Sequence, residues 1–136
     1  MSDRLFTREE AEAMLPTIVP ILERLRDAVK AAGSPAAQRQ AIDRLTSANG
    51  HARQLSRGYA GKPGRDAALA SALSAIATLS EMGVEVKDPS TGLIDFRHER
   101  SGHVVYLCWR LGESRIEWWH EIEAGFAGRQ RLDRAA

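Results

Sequence analysis

Apolar side chains recur every three or four residues through roughly the first eighty positions, then alternate with polar ones over about the next forty. Ala11, Leu15, Ile18, Leu22, Leu25 and Val29 form one stripe, the signature of an amphipathic helix. Thr7 stands ahead of it as an N-cap, Glu10 completes a capping box, and Phe6 is placed to staple the first turn. Pro16 and Pro20 fall inside the stripe, and each removes a backbone donor and crowds the preceding turn. The pattern therefore predicts a kink, or a short helix followed by a longer one, ending at Gly33. Ser34-Pro35 restarts a helix as N-cap and first helical position, with Ile42, Leu45, Ala48, Ala52 and Leu55 as its stripe and Gly58 as its end. Gly61-Lys62-Pro63-Gly64 is a loop by composition. A third helix, from about Asp66 to Met82, turns Leu69, Leu73, Ile76 and Leu79 inward and stops at Gly83. Short connections imply antiparallel packing of the three.

Beyond Gly83 the pattern changes. Val84-Glu85-Val86 reads as a short extended piece, and Asp88–Gly92 as a turn. Strands follow at Leu93–His98, Val104–Leu111 and Ile116–Ile122, separated by turns at Ser101-Gly102 and Gly112-Glu113-Ser114. A two-residue loop at Ser101-Gly102 sets Arg97 against Tyr106, Phe96 against Leu107 and Asp95 against Cys108. A loop at Glu113-Ser114 sets Arg110 against Glu117, Trp109 against Trp118, Leu107 against His120 and Tyr106 against Glu121. One face then gathers Ile94, Phe96, Leu107, Trp109, Leu111, Ile116, Trp118 and Ile122, with His120 on the same side. The other gathers Asp95, Arg97, Tyr106, Cys108, Arg110, Glu117, Trp119 and Glu121. A helix over Glu113–Ala124 is the competing pattern, because Ile116, Trp119, Ile122 and Phe126 also fit helical spacing; aromatic and β-branched enrichment favours the strand. The fold class expected is α+β: about three N-terminal antiparallel helices packed on a small C-terminal antiparallel β-meander. It forms one domain over 1–136, helical over about 7–83 and β-rich over about 84–130.

Composition narrows the function classes. A hydrophobic fraction of 43% and a charged fraction of 27% are ordinary for a folded domain. Nineteen basic against eighteen acidic side chains leave almost no global field, so net charge does not call for nucleic acid. No apolar run approaches a membrane span, and Met1–Leu5 lacks the apolar core of a secretory signal. The single cysteine, Cys108, fits a reducing compartment, so a cytoplasmic protein is expected. The narrow, alanine-rich helical stripes suit coiled-coil-like pairing, hence a homodimer.

The strings Gly92-Leu93-Ile94-Asp95-Phe96, Tyr106-Leu107-Cys108-Trp109-Arg110-Leu111-Gly112-Glu113 and Trp119-His120-Glu121 through Gly125-Phe126-Ala127-Gly128-Arg129 carry a similarity. With them the chain resembles a family of small uncharacterised prokaryotic proteins, a domain of unknown function with a GLxDF, YLCWRLGE, WHExxxGFAGR series near the C-terminus. The resemblance spans almost the whole chain and implies a bacterial or archaeal cytoplasmic protein. It transfers no activity, cofactor or catalytic residue.

Candidate chemistry concentrates between Tyr106 and Arg129. On the polar face Tyr106, Cys108, Arg110 and Trp119 could hold an anionic or planar ligand, the arginine as a fork and the tryptophan as a stacking surface. The plain alternative is a wet sheet face with ordinary ion pairs. His120, beside Glu121 and with Glu123, Asp95 and Cys108 within reach, could serve as a general base or a metal ligand, Glu121 being the other acid–base candidate; the alternative is a buried histidine satisfied by one hydrogen bond. Cys108, mid-strand between Leu107 and Trp109, reads as a small structural residue more than as a nucleophile. Arg129 follows a glycine turn that could wrap an anion, the alternative being a chain reversal with Phe126 plugging the core. No pair of histidines or cysteines has zinc-site spacing, so no metal is assigned. Arg39, Arg44, Arg53, Arg57, Lys62 and Arg65 make the middle region basic, a footprint that is more often a solvated face than a nucleic-acid site. Two function classes follow: a self-associating module that binds a small anionic ligand or partner, and a small enzyme using His120 or Glu121 with Arg110 and Arg129.

Overall fold

The computed structural model describes residues 4–49, 52 and 65–132. Among these, α1 (Arg8–Lys30), α2 (Pro35–Ser47) and α3 (Arg65–Glu81) precede β1 (Val84–Asp88), β2 (Leu93–Arg100), β3 (His103–Arg110), β4 (Trp118–His120) and β5 (Gln130–Arg131). The strands form one antiparallel sheet in strict chain order. The α+β class and the meander are as the hydrophobic pattern predicts.

Helix α1 begins where its caps say. The Thr7 hydroxyl accepts from the Glu10 amide at 3.1 Å and the Glu10 carboxylate from the Thr7 amide at 2.8 Å. Its stripe Ala11, Leu15, Ile18, Leu22, Leu25, Val29 is buried against this chain's own core. The α1 stripe is thus covered by the chain itself and is not free to pair with a second copy. The kink expected at Pro16 and Pro20 is replaced by one continuous helix. Both prolines are exposed and lie one turn apart, so the carbonyls they orphan face water, while the buried side keeps its ladder.

Helix α2 ends at Ser47, short of the expected Leu55; Leu55 and Gly58 lie outside the described residues. Side chains end it. Thr46 and Ser47 hydroxyls donate to the carbonyls of Ile42 and Arg44, and the Asn49 amide donates to Thr46 O. Asn49 then leaves the helical path to hold β1: its Nδ2 donates to Val86 O at 3.0 Å and its Oδ1 accepts from Val86 N at 3.2 Å. β1 is the first strand of the sheet, so the clamp satisfies one donor and one acceptor that no further strand among the described residues pairs. Helix α3 buries Ala72, Leu73, Ala75, Ile76, Ala77 and Leu79 and stops before Gly83, whose φ of 90° suits glycine.

The helices cover one face of the sheet, where Val84, Val86, Ile94, Phe96, Leu107 and Trp109 join their stripes in a single core. Phe6 ties the N-terminus to the same layer, its amide donating to Arg97 O at 2.7 Å and its ring meeting Phe96 edge-on. The β2–β3 register is the expected one, with Asp95 opposite Cys108, Phe96 opposite Leu107 and Arg97 opposite Tyr106. Ser101 and Gly102 close it with φ of 52° and 84°, the left-handed pair of a type I′ turn.

The β3–β4 register differs from expectation by one residue: His120 faces Tyr106, Trp119 faces Leu107 and Trp118 faces Cys108. Because side chains alternate, that shift moves His120 to the polar face with Trp118 and returns Trp119 to the core side. The expected Arg110–Glu117 pair is absent from the observed β3–β4 ladder, and Ile122 is 44% exposed. The cause is the connection, which is longer than a two-residue loop. Glu113 organises it: its amide donates to Arg110 O, its Oε1 accepts from Arg110 N at 2.8 Å, and its carbonyl accepts from Trp109 Nε1 at 3.1 Å. Ile116 then drops into the core, its amide held by Glu12 at 3.0 Å, and only afterwards does the chain pair. Residues 113–124 are accordingly not the competing helix. After β4 the chain turns through a 3-10 segment, Phe126–Gly128, into β5. Phe126 is 41% exposed there and does not plug the core.

Candidate functional site

On the sheet face turned away from the helices, the registers place Glu85, Asp95, Cys108 and Trp118 side by side, with Arg97, Tyr106 and His120 in the adjoining row. Such a face is commonly wet in antiparallel sheets. Here Asp95 and Cys108 are each 1% exposed, His120 2% and Tyr106 4%. The burial follows from two long side chains lying flat across the strands. His120 reaches from β4 over β3 to Asp95, with Nε2 at 3.1 and 3.2 Å from the two carboxylate oxygens. Tyr106 reaches from β3 over β2 to Glu85, its hydroxyl 2.9 Å from both oxygens. The rings of Tyr106 and His120 meet edge-on at 5.5 Å.

His120 is fixed at both nitrogens. Nδ1 lies 2.7 Å from the Glu121 carbonyl, an oxygen that only accepts, so Nδ1 carries a proton. Nε2 faces the Asp95 carboxylate, so one further proton occupies that contact. The Asp95 hydrogen bond raises the imidazole's pKa, against the opposing effect of burial. The two side chains form a buried pair that shares that proton. Cys108 Sγ joins them: the carboxylate oxygen, the sulfur and the imidazole nitrogen all lie within 4.8 Å of one another. Burial, and then the negative charge of Asp95, push the Cys108 thiol up to about 12, so it is protonated at neutral pH. Burial and the Glu85 hydrogen bond push the Tyr106 phenol to about 12 as well.

The remaining candidates have other duties. Glu121 is exposed and meets His103 Nε2 at 3.0 Å; it serves His120 only through its backbone carbonyl. Arg129 offers its guanidinium fork to Glu113, with contacts of 2.8 and 3.0 Å, and touches the Cys108 carbonyl at 3.4 Å. Burial works against that cation, but the Glu113 bonds outweigh it and its pKa is raised. Arg129 also lies between Phe126 and Trp118, 4.6 and 5.1 Å from the ring centres. Arg110 stacks over Phe126 at 5.1 Å. Trp119, on the core side, receives Arg100 at 4.6 Å. The structure therefore brings Tyr106, Cys108 and His120 together, sets Arg129 beside Cys108, where its charge acts on the thiol, and leaves Arg110, Trp119 and Glu121 outside the cluster.

Two acids complete the cluster: Asp95, from the expected polar face, and Glu85, which the sequence reading did not single out. Asp95 is the partner of His120, and Glu85 receives Tyr106 and Lys87, with Arg97 Nε 3.3 Å away but at an angle that makes no hydrogen bond. Burial acts to raise the Glu85 pKa, yet the hydrogen bonds and neighbouring cations hold it below the ordinary carboxylate range. Asp95 was findable: the Ser101-Gly102 turn alone places it opposite Cys108. Of the basic middle region, Arg53, Arg57 and Lys62 lie outside the described residues, while Arg39 is exposed on α2.

Among the described residues no helix is long and apolar enough to cross a membrane. Comparison with curated proteins and with solved structures finds no match. A family model does match, over residues 4–132, which takes in every element from α1 to β5. The chain belongs to the family described as "Uncharacterized conserved protein (DUF2203)".

Proposed function

We propose that the chain is a binding module whose ligand site is the Asp95–Cys108–His120 cluster on the helix-free face of the sheet. One observation carries this reading: three chemically different side chains from three neighbouring strands converge there, each no more than 2% exposed. Folding does not require them. Apolar or β-branched residues would pack such strand positions without the cost of burying a charge pair, which is often neutral or worse for stability. The small enzyme built on His120 or Glu121 is the weaker reading, because both His120 nitrogens are already engaged and the thiol is protonated. The anionic ligand suggested by Arg110 and Arg129 is weaker too, since Glu113 already occupies the Arg129 fork.

Native mass spectrometry on protein purified without chelator tests the proposal. The folded ion should exceed the sequence mass, and the excess should vanish under denaturing conditions and in a folded His120→Gln variant. Equal native and denatured masses, with no thermal stabilisation by divalent cations, phosphate or small carboxylates, would refute it.

A further inference from the structure

Resting on that binding reading, we infer that the ligand of the Asp95–Cys108–His120 cluster is a thiophilic divalent transition metal ion of the zinc type. The donors are one thiol, one imidazole and one carboxylate, a mixed sulfur, nitrogen and oxygen set that suits borderline-soft ions and not calcium or magnesium.

Geometry supports the assignment first. Zinc-type bonds of about 2.0–2.3 Å at tetrahedral angles separate ligand atoms by about 3.3–3.8 Å. Here the imidazole nitrogen and carboxylate are 3.1 Å apart and all three ligand atoms fall within 4.8 Å, so closure on an ion needs side-chain shifts of at most about 1 Å. The donors stand on three hydrogen-bonded neighbours, β2, β3 and β4, which fixes their relative positions. The second support is the orientation of His120. Its Nδ1–H is spent on the Glu121 carbonyl at 2.7 Å, which aims Nε2 into the cluster. Histidines that ligate metals are held in this way, the far nitrogen donating to a carbonyl or carboxylate.

Sequence spacing could not reveal the site, because the ligands lie 12 or more residues apart and meet only through strand pairing.

Titration of the full chain, stripped with chelator and then given cobalt(II), tests the inference. One equivalent should produce a thiolate-to-cobalt charge-transfer band in the near ultraviolet and intense tetrahedral ligand-field bands, both displaced by zinc. A weakly buffered titration at neutral pH should release protons as the ion binds. Cys108→Ser should abolish the charge-transfer band while circular dichroism stays native, and Asp95→Asn should lower affinity by at least tenfold. The inference falls if wild-type protein shows no thiolate band, or if Cys108→Ser keeps it. It also falls if the native mass excess is an organic molecule, an outcome that leaves the binding module standing. No excess and no cobalt binding would remove both.

Discussion

Replacing Asn49 with alanine probes how the helical half secures the sheet. The Asn49 amide makes two hydrogen bonds with Val86, at 3.0 and 3.2 Å, and Val86 is 1% exposed. Each bond contributes about 0.5–1.5 kcal/mol net, and each buried backbone group left unpaired costs about 1–3 kcal/mol. Asn49 is itself half-buried, so water entering the space recovers part of that cost. The expected destabilisation of Asn49→Ala is therefore about 2–4 kcal/mol, read from urea unfolding with an unchanged slope. Asn49→Asp should lose as much, because its carboxylate keeps the acceptor for the Val86 amide but sets negative charge against the Val86 carbonyl. Hydrogen exchange provides the local readout: the Val86 amide should lose protection while Phe96 and Leu107, inside the sheet, change only with global stability. A loss below about 1 kcal/mol, or an unchanged Val86 amide, would mean that water serves this edge as well as the side chain does.

Trp109→Ala removes a core side chain that is 3% exposed and whose indole donates to Glu113 O, so a loss of about 3–5 kcal/mol in denaturant unfolding is expected; retained stability would refute its place in the core. Glu85 has a folded pKa below its ordinary value of 4.5, so its contribution is complete above that value and fades as pH falls through the lower one. Glu85→Gln should therefore melt lower than wild type at neutral pH and converge with it in acid, and a constant gap would contradict the assignment. Cys108, 1% exposed with its thiol pushed to about 12, should resist an aromatic disulfide reagent in native, metal-free protein and react fully in urea. Prompt reaction of the native protein would show the cluster to be open.

What the sequence could disclose depended on how tightly each connection constrained its neighbours. The Ser101-Gly102 turn admits one geometry, so the pairing of Asp95 with Cys108 and of Arg97 with Tyr106 followed directly. Between Arg110 and Trp118 the chain has room to slip, and its path is set by contacts that no local pattern reveals. The Ile116 amide is held by Glu12 from a helix more than a hundred residues earlier, and the Arg129 fork returns to Glu113. A one-residue difference followed, and it exchanged the faces of Trp118, Trp119 and His120. The same error weakened the case for the candidate site, because a histidine assigned to the apolar side does not meet an aspartate on the polar one. Thr7, Glu10 and the α1 stripe were legible because capping and amphipathicity are local. Asn49 was not, because its partner lies 37 residues away.

Strict chain order in the sheet also bears on biosynthesis. Each strand pairs with the one made just before it, so the meander can grow hairpin by hairpin as the chain leaves the ribosome. Asp95 and Cys108 come together with the first long hairpin, whereas His120 arrives only with β4. During that interval a nascent chain carries a thiol and a carboxylate that nothing yet covers. Pairing of β4 with β3 is then the step at which Cys108 passes from a chemically vulnerable group to a sequestered one, and chains ending before Trp118 would be those open to oxidation or to premature capture.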